Sequence, residues 1–190
     1  MKAARPIKGA LAALLILTAN IAAAADKPSA KPAISAIKFA DLPLDLAIKQ
    51  VRGSGRRVFA IFEDPNCGYC KQLAAQTADM TDVTIYSFVY PILGDDSTDK
   101  ARTIRCAADP ARAWNDWMLN GTRPTAAKCD AGAVDRLVAI GKRLGIRGTP
   151  TIFLANGERI SGAVSRMALE MAISAPKVLA VQAEAETRLP

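Results

Sequence analysis

The sequence predicts an α/β protein in which a βαβ unit is followed by an antiparallel ββα unit, with a helical insertion between them. Three observations carry that expectation. Residues 58–62 are a short unbroken apolar run and Thr151 to Leu154 a second segment of the same buried type, the pattern of strands covered on both faces. Residues 83–90 alternate, with Val83, Ile85 and Val89 on one side and Tyr86, Phe88 and Tyr90 on the other, as a strand does. The segments between and after them show helical spacing and helix-boundary residues.

Along the chain, Asp41-Leu42-Pro43 opens an expected first helix to about residue 51, with Leu44, Leu46, Ala47 and Val51 in partial amphipathic spacing. Gly53-Ser54-Gly55 ends it. The strand at 58–62 leads into the turn Asp64-Pro65-Asn66, where Asn66 is the expected N-cap of a helix from 67 to about 78. A helix over about 96–108 follows the strand at 83–90. Asp109-Pro110 pairs a cap with Pro at the first helical position, so another helix is expected to Asn120, stopping at Gly121. Asp130 caps the next, in which Val134, Leu137, Val138, Gly141 and Leu144 share a face before Gly145 ends it. Asn156-Gly157 is a hairpin turn joining the strand at 151–154 to a partner at 158–160. A last helix begins near Ser165 and is broken or kinked by Pro176. No internal repeat interrupts this order.

With 190 residues, 51% of them hydrophobic, the chain can build one domain with a sizeable core. Residues 1–25 read as a cleavable secretory signal. Lys2, Arg5 and Lys8 precede an apolar stretch, and Ala22 to Ala25 offer small-residue cleavage sites. Residues 26–40 read as a flexible segment and 41–190 as the main domain, with the helical insertion at about 96–145. No stable membrane anchor is expected, because the apolar stretch is short and a polar segment follows it. The formal charge is +7; the leader holds three of the positives and no acid, leaving +4. Without a basic cluster interleaved with aromatics, no nucleic-acid partner is expected. The chain has no histidine. That excludes a Ser-His-Asp hydrolase, a Cys-His protease and a His-ligated metal site. No cofactor is called for.

Cys67-Gly68-Tyr69-Cys70 is the centre of the functional reading. Two intervening residues on a helix's first turn bring both sulfurs within bonding reach. The helix N-terminus, with free N–H groups and a positive dipole end, favours a thiolate at Cys67. Thiolates attack disulfides, so Cys67 is the expected exposed nucleophile and Cys70 the resolving thiol. The bland alternatives are a structural disulfide, or a zinc site completed by Cys106 and Cys129, whose spacing of 23 does not suit paired zinc knuckles. Gly148-Thr149-Pro150 precedes the strand at 151–154, where Pro150 is a candidate for a cis peptide bond. Cys106 and Cys129 are the natural partners for one another, in a bridge that would stabilise by roughly 3 kcal/mol in the chain-entropy model. A second redox couple is the alternative. Glu63 or Asp64 is a candidate proton acceptor for Cys70, against a turn-forming or solvated carboxylate. Tyr69 and Gly68 are candidate substrate contacts. Trp114 and Trp117 share a helix face, in the manner of core residues.

PNCGYCK at 65–71, IRCAAD and then AW across 104–114, KCD at 128–130 and LGIRGTPTIFLANG at 144–157 together resemble the catalytic domain of the DsbC/DsbG disulfide isomerase family. The resemblance runs from about residue 42 to 171 and rests on several spaced motifs. It implies a thioredoxin-like fold with a helical insertion and a nucleophilic Cys67 resolved by Cys70. It also implies a cis-Pro150 beside the pair, where the backbone of Thr149 meets an extended substrate, and a structural bridge between Cys106 and Cys129. Periplasmic location, disulfide-containing exported proteins as substrates and an inner-membrane DsbD-type reductant follow from the same resemblance. Members of the family carry an N-terminal dimerisation domain. Only about fifteen residues lie between the leader and Asp41, too few for one, so the family's dimeric arrangement is not carried over to this sequence as an expectation. The competing readings are a monomeric thiol oxidant kept as the disulfide, and a non-catalytic binding or chaperone module with structural cysteines only.

Overall fold

In the computed structural model, residues 37–125, 129 and 132–174 are described. The apolar run expected as a strand is β2 (Arg57–Glu63), central in a five-stranded sheet. It pairs in parallel with β3 (Val83–Val89), in a register that sets Ile61 beside Ser87 and Glu63 beside Val89. On its other edge it pairs antiparallel with β4 (Thr151–Leu154), which forms a hairpin with β5 (Arg159–Ser161) across Asn156-Gly157. The α/β architecture of a βαβ unit and a ββα unit therefore stands.

The expected first helix does not form. Two 3₁₀ turns (Phe39–Asp41 and Leu44–Leu46) lead into β1 (Ile48–Arg52), which pairs antiparallel with β3 and gives the strand order β1-β3-β2-β4-β5. The open edge of β3 would otherwise present unpaired backbone groups, and β1 satisfies them. Its burial alternates from Ile48 to the exposed Val51. The Leu44, Leu46 and Ala47 spacing comes from turns that pack onto the sheet, and tertiary pairing overrides it. For the same reason β3 is buried on both faces over most of its length.

The two faces carry different helices. Phe59 and Ile61 of β2 and Val83 and Ile85 of β3 pack against Leu73 of α1 (Gly68–Thr77) and Leu169 of α5 (Arg166–Ser174). Further along this face, Val89 joins Trp114 and Met118 of α3 (Pro110–Asn120) and Ile104 of α2 (Asp95–Arg105). On the opposite face Ala60, Phe62, Phe88 and Tyr90 meet Leu137 of α4 (Gly132–Arg143) and Ile146. The α3 boundaries follow the sequence: Asp109 accepts the Arg112 N–H, Pro110 opens the helix, and Gly121 closes it in the left-handed region. The residues expected to cap α4 (Asp130) and to end α5 (Pro176), the leader at 1–25 and the segment at 26–36 lie outside the described residues.

At Gly141 α4 approaches the sheet so closely that an added Cβ would overlap the Tyr90 ring. That ring cannot swing away, since Tyr90 is buried and its hydroxyl donates to the Ile146 carbonyl at 3.3 Å. Gly141→Ala is expected to destabilise the protein by about 1–3 kcal/mol through overpacking, although alanine is the better helix former. The check is a lower urea midpoint at an unchanged m value.

Candidate active site

The site begins where β2 ends. Asp64, fully buried, organises the following turn: its carbonyl accepts the Cys67 N–H at 3.1 Å, and Oδ1 accepts the Asn66 N–H at 2.7 Å and the Ser97 hydroxyl at 2.8 Å. Its Oδ2 accepts the N–H groups of Ile92 and Leu93 at 2.7 and 2.9 Å. One carboxylate thus ties the β2–α1 turn to the β3–α2 loop. Of the two acids singled out in the sequence, this one is committed to structure.

Asn66 is not the N-cap. Its side chain turns to Asp96 Oδ2 at 2.7 Å and Ser97 at 3.0 Å. Cys67 takes the capping position, and its sulfur accepts the Cys70 N–H at 3.4 Å. Free N–H groups at a helix start bind whatever acceptor the turn presents, and with Asn66 drawn to α2 that acceptor is sulfur. The Cys67 thiol lies 3.3 Å from the Thr149 carbonyl, to which it donates. The Thr149–Pro150 peptide is cis. Cys67 and Cys70 are both free thiols. Cys67, expected to be exposed, is only 7% accessible, because the Thr149 loop and the α2–α3 insertion pack around it; Cys70 is sealed at 0%. Gly68 is exposed with open space above it, and Tyr69 is 68% exposed. Thr149 is half-buried and Pro150 buried.

Glu63 is 2% exposed, on the sheet face that α1 covers, beside Val89 and hydrogen-bonded to Ser87. Burial in this apolar face pushes its carboxyl up to about 8, against the opposing pull of the Ser87 hydrogen bond. Cys70 is pushed up as well, first by its own burial and then by the Glu63 charge. Extending the period of β2 one step past Ile61 places Glu63 on the face beneath α1. That signal was available in the sequence, but Glu63 there reads equally as part of the turn.

The insertion holds the turn from the other side. Trp114 is core, as expected, whereas Trp117 donates its indole N–H to the Pro65 carbonyl, with the Lys71 and Lys100 ammonium groups 4.3 and 4.8 Å from its ring centroid. Cys106, at the end of α2, is disulfide-bonded to Cys129 with Cα atoms 5.5 Å apart. The zinc alternative needed both as ligands, and the bridge uses both.

Residues 44–175 match the thioredoxin-like domain family. The chain belongs to the thioredoxin-like family. Its similarity within that family is to disulfide interchange proteins. It is 42% identical to the crystallised disulfide interchange protein of Neisseria gonorrhoeae, covering 70% of this chain and 96% of that one with a TM-score of 0.66. It is 57% identical over 137 residues to the probable thiol:disulfide interchange protein DsbC of Bordetella pertussis, 72% of this chain and 49% of that protein. To DsbC of Escherichia coli K12 it is 34% identical over 111 residues, 56% of this chain and 46% of that protein. The chain thus spans about half the length of the curated relatives it matches. Among the described residues no helix is long and apolar enough to cross a membrane.

Proposed function

We propose that this protein reduces or isomerises disulfides in exported proteins through Cys67 and Cys70, in the periplasm, and is returned to its dithiol form by an inner-membrane DsbD-type reductant. The observation that carries the reading is the placing of the Cys67 sulfur as the acceptor at the start of α1, beside the Thr149 carbonyl and one turn from Cys70. The Cys67 thiolate attacks one sulfur of a substrate disulfide. A mixed disulfide forms, and the other substrate sulfur leaves as thiolate. Cys70 then loses its proton and attacks Cys67 Sγ; the Cys67–Cys70 disulfide forms and the second substrate thiolate departs. The protein is oxidised by two electrons and the substrate reduced by two. When a different substrate thiol attacks the mixed disulfide instead, the substrate is isomerised with no net change.

Buried Cys70 needs a proton acceptor, and Glu63, on the same face and electrostatically felt by Cys70, fills that role. Gly68 and Tyr69 at the surface, with Thr149 and Pro150, form the ground on which the substrate segment rests. The Cys106–Cys129 bridge, which staples the insertion, is structural.

Cys70→Ala tests this. Without the resolving thiol, incubation with a disulfide-bonded peptide is expected to leave a covalent adduct on Cys67, visible by mass spectrometry and released by dithiothreitol. An unmodified Cys67 after hours with excess peptide sinks the proposal.

A further inference from the structure

Resting on the exchange reading above, we propose that Leu93 is a specificity-determining residue. With Tyr69 it brackets Cys67 and selects substrates whose disulfide-bonded cysteine is flanked by large apolar side chains. Leu93 is 58% exposed. Its backbone is not free to retreat: its own N–H and that of Ile92 are held by Asp64 Oδ2, while the Asp64 carbonyl holds the Cys67 N–H. A single buried residue therefore fixes Leu93 and Cys67 relative to each other. The neighbours of Leu93 point the other way. Pro91 is buried and Ile92 packs against the core. Gly94, at φ 117, then turns the chain into α2. An isoleucine folded inward beside a leucine held outward is a pre-organised apolar contact.

The other exposed large apolar side chains among the described residues, Val51, Leu119, Met167 and Met171, lie on β1, α3 and α5. Tyr69 and Leu93 differ in lying on the two segments that Asp64 ties together. Because Cys67 is nearly buried, a substrate sulfur reaches it only when the chain on either side lies against the surrounding surface. The occupant is an extended polypeptide segment. Tyr69, between the two cysteines, and Leu93, across the turn, are the apolar groups its flanking side chains meet.

The test uses two peptides of the same length, each joined by a disulfide to a small fluorescent thiol, one with leucine on both sides of its cysteine and one with serine. Reduced glutathione returns the Cys67–Cys70 disulfide to the dithiol after each turnover, and the readout, less the rate with glutathione alone, is the ratio of their kcat/KM values. Wild-type protein is expected to favour the leucine peptide by about tenfold, through KM, the scale set by burying part of one apolar side chain. Leu93→Ser is expected to bring the ratio close to one, and Leu93→Met to keep it. A wild-type ratio near one with both peptides reacting overturns this inference and leaves the exchange reading intact. So does a wild-type preference that Leu93→Ser does not change. If wild-type protein reacts with neither peptide, the exchange reading fails and this inference with it.

Discussion

Cys67→Ser is expected to reduce disulfide exchange to the uncatalysed background, a loss of about a thousandfold or more. Serine keeps the shape of the helix start and can still accept the Cys70 N–H, so the fold should survive. What disappears is an ionisable, soft nucleophile able to form a bond to another sulfur. Cys70 cannot substitute, because it is sealed from solvent and its thiol is pushed up by burial and by Glu63. Reduction of a model disulfide and refolding of a scrambled protein are the two assays. If both proceed at the wild-type rate, the protein is a binding or chaperone module whose cysteines take no part in chemistry.

Glu63→Gln is expected to act in opposite directions on stability and on rate. In the unfolded chain the Glu63 carboxyl ionises at about 4.5, and in the folded protein at about 8. Between those values the unfolded state holds fewer protons, so stability falls as pH rises from 4.5 to 8. At pH 7 the cost is about 3 kcal/mol. Glutamine carries no charge at any pH and fits the same space, so the variant should be the more stable protein at pH 7 and should lose this slope. Denaturant unfolding at pH 5 and pH 8 checks it; parallel curves for the two proteins refute the assignment. The rate moves the other way. Only ionised Glu63 can take the Cys70 proton, so resolution of the mixed disulfide should accelerate as pH rises through about 8. Without that acceptor the step should slow by about a hundredfold, at the lower end of what a positioned base contributes. Single-turnover decay of a preformed mixed disulfide on Cys67 isolates the step. The stabilised, slower variant would identify Glu63 as a group kept at the expense of stability.

Much of this was legible in the residues because it is local. Asp109-Pro110 and Gly121 bound α3 by satisfying its own end groups, and Asn156-Gly157 turns its own hairpin. The apolar cores of β2 (Val58 to Phe62) and β4 (Ile152 to Leu154) mark strands covered on both sides. Cys67 and Cys70 stand out as a candidate pair through their spacing and their place where a strand gives way to a helix. Three features were not legible, and each depends on a distant partner. β1 is a strand because the edge of β3 needs one. Asn66 gives up its cap because Asp96 and Ser97 arrive from thirty residues further on. Glu63 and Asp64 are adjacent acids with the same local context, yet one takes four side-chain hydrogen bonds and the other is left in an apolar face under α1.

Residue order along this chain was sufficient to single out the candidate cysteine pair, the fold class and most element ends, since these follow from periodicity, caps and turns spanning a few residues. The division of labour within the site came only with packing. Which acid shares an environment with Cys70, which carboxylate ties the β2–α1 turn to the β3–α2 loop and how far Cys67 is covered depend on elements distant in sequence meeting across the sheet, where burial and dielectric are set.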